Sequence, residues 1–174
     1  MASLHDRLKE APVSGKADDL LREKEEICQL IRRSCQLLDQ EKYDAWLELF
    51  AENCVYNVVT WENVQAGYAF DLIRAPDKPH LAEWIGIVTG FHQVERVKSL
   101  HLLSTPLIEL SPENQEAQSW AGFALYRTGR DGVTQLHCVG EYRDVLHKVD
   151  SGWRIQRREV LLHTSTLPGT LQVI

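Results

Sequence analysis

The sequence predicts an α+β fold, with helices near its start packed on a strongly curved, mostly antiparallel sheet. Two observations carry that prediction. Apolar residues recur at helical spacing through residues 20–50 and again through 81–94. After Lys98, four strand-like runs succeed one another: HLLSTPLIEL, EAQSWAGFALYRT, VTQLHCVGEYRDVLHK and GWRIQRREVLLHT. The breaks between them, SPEN, GRDG and VDSG, have the composition of hairpin turns. Helices first and a strand meander afterwards is an α+β order. The sheet has to bury one face on the helices, so it is expected to curve around them into a cone.

Residues 1–17 read as a flexible N-terminal arm, because Pro12, Ser14 and Gly15 break any apolar pattern there, and 18–174 read as a single domain. Asp18 or Asp19 is expected to cap a helix that carries Leu20, Ile27, Leu30, Ile31, Leu37 and Leu38 at helical spacing. Asp39 and Gln40 interrupt it. A second short helix takes Tyr43, Trp46, Leu47 and Phe50 on one apolar face. After the turn AEN, the run CVYNVVTW is rich in strand formers. Residues 62–78 are mixed and predict a short strand or loop. Pro79 suits the first turn of a further helix, whose inner side takes Leu81, Trp84, Ile85, Val88, Phe91 and Val94. Gly86 and Gly90 weaken that helix. In the last strand the alternation slips: Trp153 and Ile155 share one parity, Val160 and Leu162 the other. One extra residue within 157–159 would restore register, which predicts a β-bulge there.

The totals exclude several function classes. A chain of 174 residues with 44% apolar and 25% charged residues is long enough for one real core. No apolar run is long enough to span a membrane, and the polar opening MASLHDRLKE lacks a secretory stretch, so the cytoplasm is expected. The net charge of −6 repels phosphate backbones and argues against nucleic acid. Cys28, Cys35, Cys54 and Cys138 form no Cys-x-x-Cys pair and read as reduced, scattered thiols.

The seven histidines, His5, His80, His92, His101, His137, His147 and His163, show no metal-ligand spacing. No glycine-rich phosphate loop and no Gly-x-Ser-x-Gly elbow occurs. Acid–base chemistry inside the cone is the remaining catalytic option. Its candidates are Asp44, Tyr56, His101 and His137, and a His–Asp pair in a closed pocket can run a dehydration or isomerisation by proton transfer. Against this, Asp44 has the neighbours of an exposed helix face and His101 stands at a strand start. Arg154, Arg157 and Arg158 on the last strand read as a solvated sheet face, or as a basic patch for a partner's carboxylates. The apolar ending LQVI is expected to be tied down.

The run EICQLIRRSCQLLDQEKYDAWLELFAENCVYNV resembles the opening of the β (small) subunits of aromatic-ring-hydroxylating dioxygenases. The shared features are the helix ending Leu37-Leu38-Asp39, the Trp46-Leu47 helix and the strand bearing Tyr56. The tail is similar too: a turn, then Trp153-Arg154-Ile155, then Arg157-Arg158 and Val160-Leu161-Leu162. The likeness covers residues 20–60 and 100–174. It departs from the family where His163 stands in place of a common Asp. The resemblance implies a cone of the nuclear-transport-factor-2 (NTF2-like, cystatin-like, SnoaL-like) type. It implies a non-catalytic subunit with no cofactor of its own. Its partner would be the large (α) subunit, which carries the Rieske [2Fe-2S] cluster and the mononuclear iron, in an assembly of three large and three small subunits (α3β3) built on a trimer of the small ones. The substrate would be an aromatic compound, with an aromatic acid as the narrower expectation. The same fold also serves stand-alone lyases and isomerases of the scytalone-dehydratase or polyketide-cyclase kind, which is where Asp44, Tyr56 and His101 would act.

Overall fold

The computed structural model describes residues 13–68, 70–92, 97–113, 115–164 and 174. Helix α1 runs Val13–Asp39. It therefore starts ahead of Asp18 and Asp19, which lie inside it and do not cap it. Residues 13–17, expected in the arm, are helical; residues 1–12 lie outside the described residues. A single glycine such as Gly15 costs a helix only about 1 kcal/mol, too little to stop one of 27 residues. The buried stripe of α1 is Ile27, Ile31, Ser34, Cys35, Leu37 and Leu38, while Leu20 is exposed and the first turns project beyond the core.

The helix ends in a Schellman turn. Lys42 N–H donates to the Leu37 carbonyl at 2.9 Å and Glu41 N–H to the Leu38 carbonyl at 3.0 Å. Glu41 takes the left-handed position, at φ 56°, where glycine is usual. Helix α2 (Tyr43–Leu47) comes next and is only one turn long. Phe50, expected on that helix, instead opens strand β1 (Phe50–Thr60).

Thr60 then caps helix α3 (Trp61–Gln65): its Oγ1 accepts from the Asn63 amide at 3.3 Å. This helix, and the short strand β2 (Ile73–Ala75), occupy the segment read as a strand or loop. Helix α4 (Lys78–His92) carries Pro79 in its first turn, with Leu81, Ile85 and Val88 buried. Val94 and the side chain of Phe91, both expected on its inner side, lie outside what is described.

The expected strand run HLLSTPLIEL is two strands, β3 (Lys98–Leu103) and β4 (Leu107–Leu110). Pro106 has no N–H to give a ladder, and Ser104 bridges the break: its amide donates to the Gly122 carbonyl at 2.8 Å and its Oγ accepts from the Gly122 amide at 2.9 Å. The long strands β5 (Glu116–Thr128), β6 (Thr134–Val149) and β7 (Gly152–Leu162) are joined by the GRDG and VDSG turns. The sheet order is β2-β1-β7-β6-β5-β3, with β4 also on β5. All neighbours are antiparallel except β1 and β7, which run parallel with Tyr56 beside Arg158.

Three irregularities bend this sheet. On β7, Arg157 pairs with Val145 and Ile155 with Leu146, leaving Gln156 as the extra residue. The bulge thus sits one residue before the expected 157–159. On β6, His137 is extra between Leu136 and Cys138. On β1, Ala51 to Cys54 bow out between Phe50 and Val55. Each bulge sharpens the twist and re-aims the side chains beyond it.

Candidate functional site

The Gln156 bulge decides the interior of the cone. Before it, Trp153 and Ile155 face inward; after it, Arg158, Val160 and Leu162 do. An arginine read as part of a surface patch is thereby turned into the core, where its side chain is 0% exposed. Arg158 Nε and Nη2 donate to the two carboxylate oxygens of Asp144 at 2.8 and 2.7 Å. Its Nη1 donates to Ser34 Oγ on α1 at 2.6 Å. The guanidinium lies over the Tyr142 ring, 4.5 Å from its centroid. Burial works against its charge, but Asp144 outweighs burial and leaves the group more firmly protonated than a free arginine.

Ser34 also accepts from Trp46 Nε1 at 2.9 Å, so one hydroxyl ties α1, α2 and the sheet together. Trp46 packs edge-on against Phe50 and Tyr56, at 4.6 and 5.8 Å between centroids. Tyr142 stacks on Phe123 at 4.4 Å. Gly140 makes room for that stack: a Cβ there would meet the Leu161 carbonyl at 2.4 Å and the Phe123 ring at 3.0 Å. Tyr56 is fully buried, and its hydroxyl donates to the carbonyl of Ile174. The expected polar edge at Tyr56 is therefore an interior bond, and Ile174 is indeed held in the core; residues 171–173 lie outside the described residues. Burial raises the phenol pKa of both Tyr56 and Tyr142, so neither serves as a base near neutral pH.

The acid–base set of Asp44, Tyr56 and His101 does not assemble as expected. Asp44 is exposed on α2, whereas Tyr56 and His101 are buried. The carboxylate that meets His101 is Asp39, at the end of α1. Both its oxygens accept from the His101 amide, at 3.1 and 3.0 Å, and its Oδ1 lies 2.6 Å from His101 Nδ1. That contact clamps α1 to β3. His137, the bulge residue of β6, is buried with Nε2 unpartnered, and its pKa is pushed down to about 4 by burial and then by nearby Arg127.

The donor set does not fit an iron centre. Among the described residues no three of His, Cys, Asp and Glu come together as ligands would. Cys35, Cys54 and Cys138 are separate buried thiols, and burial pushes their pKa values up to about 11, 11 and 12.

The expected basic patch is also dispersed. Arg158 is inside. Arg157 lies on the outer face, 3.5 Å from Glu159, in a line of charges with Glu141 and Arg143. Arg154 lies elsewhere, beside a groove between α1 and the β6–β7 turn.

Comparison with known proteins agrees with this architecture. The SnoaL-like domain pattern matches residues 19–159. The terephthalate 1,2-dioxygenase terminal oxygenase component subunit beta 1 of Comamonas sp. is 26% identical over 137 residues, covering 79% of this chain and 88% of that protein. Among solved structures, a protein assigned as the beta subunit of an aromatic-ring-hydroxylating dioxygenase from Novosphingobium aromaticivorans superposes with a TM-score of 0.75 at 21% identity, over 86% of this chain and 94% of that one. An NTF2-like protein with a cystatin-like fold from the same organism gives 0.70 at 23% identity, over 91% and 93%. At those identities the two structures establish the fold.

Proposed function

The chain belongs to the SnoaL-like domain family, and from that premise we propose that it is the non-catalytic small subunit of a multicomponent aromatic-ring-hydroxylating dioxygenase. The observation that carries this reading is the content of the cone. Where an NTF2-like enzyme would hold substrate, this chain holds Trp46, Tyr56, Tyr142, Phe123 and the Arg158–Asp144 pair, packed and bonded to one another. Trp46 and Arg158 both donate to Ser34 and so hold the helices to the sheet, Tyr56 donates to the Ile174 carbonyl, and the buried Tyr142 hydroxyl has no hydrogen-bond partner among the described residues.

A second support is the surface. Tyr68 and Phe70 are 70% and 62% exposed, and Trp61, Val64 and Leu72 are exposed in the same stretch. So many exposed apolar side chains in one stretch of chain support a site for assembly there.

On this reading the large subunit carries the Rieske [2Fe-2S] cluster, the mononuclear iron and the substrate pocket. The assembly is α3β3 around a trimer of small subunits. It acts in the cytoplasm on an aromatic substrate of the acid type, as the name of the terephthalate relative suggests. This chain contributes no cofactor ligand, binds no nucleic acid and enters no membrane.

The test is co-expression with an oxygenase large subunit, then purification through a tag on this chain. A red-brown complex containing both chains is expected, with the small chain colourless and inert by itself. Lyase or isomerase turnover by the purified chain alone, with no large subunit retained, would overturn the reading.

A further inference from the structure

Arg32 and Arg33 on α1 and Arg154 on β7 line one open groove of about 720 Å³. Its floor is Leu30 and the indole of Trp153, the latter fixed by a hydrogen bond from Nε1 to Glu23 at 2.8 Å. The chain carries 25 acidic and 19 basic residues, so carboxylates are in excess. Arg74, Arg143, Arg157 and Arg158 each have one within 4.0 Å. The three groove arginines have none among the described residues, although Glu26 lines the same groove.

Two of the three guanidiniums are nonetheless held in place, by neutral acceptors. Arg33 Nη1 donates to Gln36 Oε1 at 2.8 Å. Arg154 donates to the Trp153 carbonyl at 2.9 Å and to Ser151 Oγ at 3.0 Å. Their positions are set without neutralising their charge. A guanidinium fixed in this way loses less freedom when it takes a carboxylate bidentately. The cations stand on two separate elements of the fold, and the groove is much larger than one small anion fills. That spacing suits an extended chain bearing several carboxylates.

We infer that this groove docks an acidic segment of the large subunit, whose Asp and Glu side chains pair with Arg32, Arg33 and Arg154. The inference rests on the subunit reading above and adds to it a surface and a chemistry. Because the chain is acidic overall, the attraction is local: it acts at contact, within a Debye length of about 8 Å at physiological salt.

The test compares binding of the purified large subunit by the full chain and by three variants. The first is the triple variant Arg32→Glu, Arg33→Glu, Arg154→Glu. The second carries Lys at the same three positions. The third, Arg22→Glu, reverses an exposed charge on α1 outside the groove. The expected result is a loss of about 100-fold in affinity for the Glu variant. The Lys variant falls between it and the unaltered chain, since it keeps the charge and loses the fork. Arg22→Glu binds as the unaltered chain does. On binding, hydrogen exchange slows at residues 29–36 and 151–154. If the unaltered chain binds no large subunit, the subunit reading falls and the inference with it. If the unaltered chain binds and both groove variants bind equally well, the groove inference alone is overturned. Should the Glu variant fail to fold, the Lys variant and the exchange data decide. Exchange protection of the groove in the isolated chain that is lost on dilution would assign it to a second copy, and would also overturn the inference.

Discussion

Arg158 and Asp144 face each other across β7 and β6 as a bidentate ion pair with both side chains wholly out of solvent. Such a pair is weak evidence of net stability, because desolvating two charges offsets most of their attraction. What it does supply is a fixed position. It orients Ser34, and through Ser34 the Trp46 indole, so the helices meet the sheet in one register.

Breaking that pair from one side is therefore expected to be severe. Asp144→Ala leaves a buried cation unpaired and should cost about 3–5 kcal/mol in urea unfolding. The double variant Asp144→Leu with Arg158→Met should recover most of that loss. Equal destabilisation by single and double variants would show that the charge itself is not the issue.

Glu41 holds a left-handed backbone that a side chain disfavours by about 1–2 kcal/mol. Glu41→Gly should raise stability by about 1 kcal/mol, and Glu41→Val should lower it, since a β-branched residue tolerates this conformation least. Thermal unfolding of the three proteins checks the order.

Thiol chemistry should separate one cysteine from the rest. Cys28 is only partly buried, with its pKa raised by that burial, whereas Cys35, Cys54 and Cys138 are buried with pKa values pushed up to about 11, 11 and 12. Iodoacetamide at pH 8 should label Cys28 first in the native protein and the other three only on unfolding, as read by peptide mass spectrometry.

His137 sets a pH dependence. Burial holds its folded pKa down to about 4, against an ordinary 6.5. Between those values the unfolded chain binds a proton that the folded chain does not, so stability rises with pH across the window. It is fully present above about 6.5 and lost as pH falls toward 4. The variant His137→Leu should flatten that part of the Tm–pH curve; an unchanged slope would assign it to other groups.

Elements with a local signal were legible in the sequence. The α1 stripe from Ile27 onward, the GRDG and VDSG turns and the strands β5 to β7 rest on periodicity and turn chemistry, and they stand where the pattern put them; Leu20 and the unbroken first strand run do not. The parity slip in β7 located its bulge to within one residue, since only an extra residue brings Ile155 and Val160 to one face. What that shift did to Arg158 was not legible, because its acceptor carboxylate is on another strand. The same holds for Asp39 and His101, 62 residues apart: Asp39 reads locally as the end of a helix. For Asp44 the local signal was enough: its neighbours on the short helix pointed to an exposed face, and on one turn Trp46 takes the inward position and Asp44 the outward one. Helix α3 was missed because five residues carry too little periodicity, and its only local sign is the Thr60 cap.

The parallel pairing of β1 with β7 also sets the order in which this chain can fold. The two strands are roughly a hundred residues apart, and joining them closes the longest loop in the sheet. During synthesis the meander β5–β6 can pair as soon as it is made. The inner edge of β1, with Val58 and Val59, must wait for Gly152–Leu162 to appear. Until then it is an open apolar strand edge, the kind of edge that recruits other chains. Nascent chains stalled before Gly152 should accordingly aggregate or depend on chaperones, and the last strand is the step that ends that exposure.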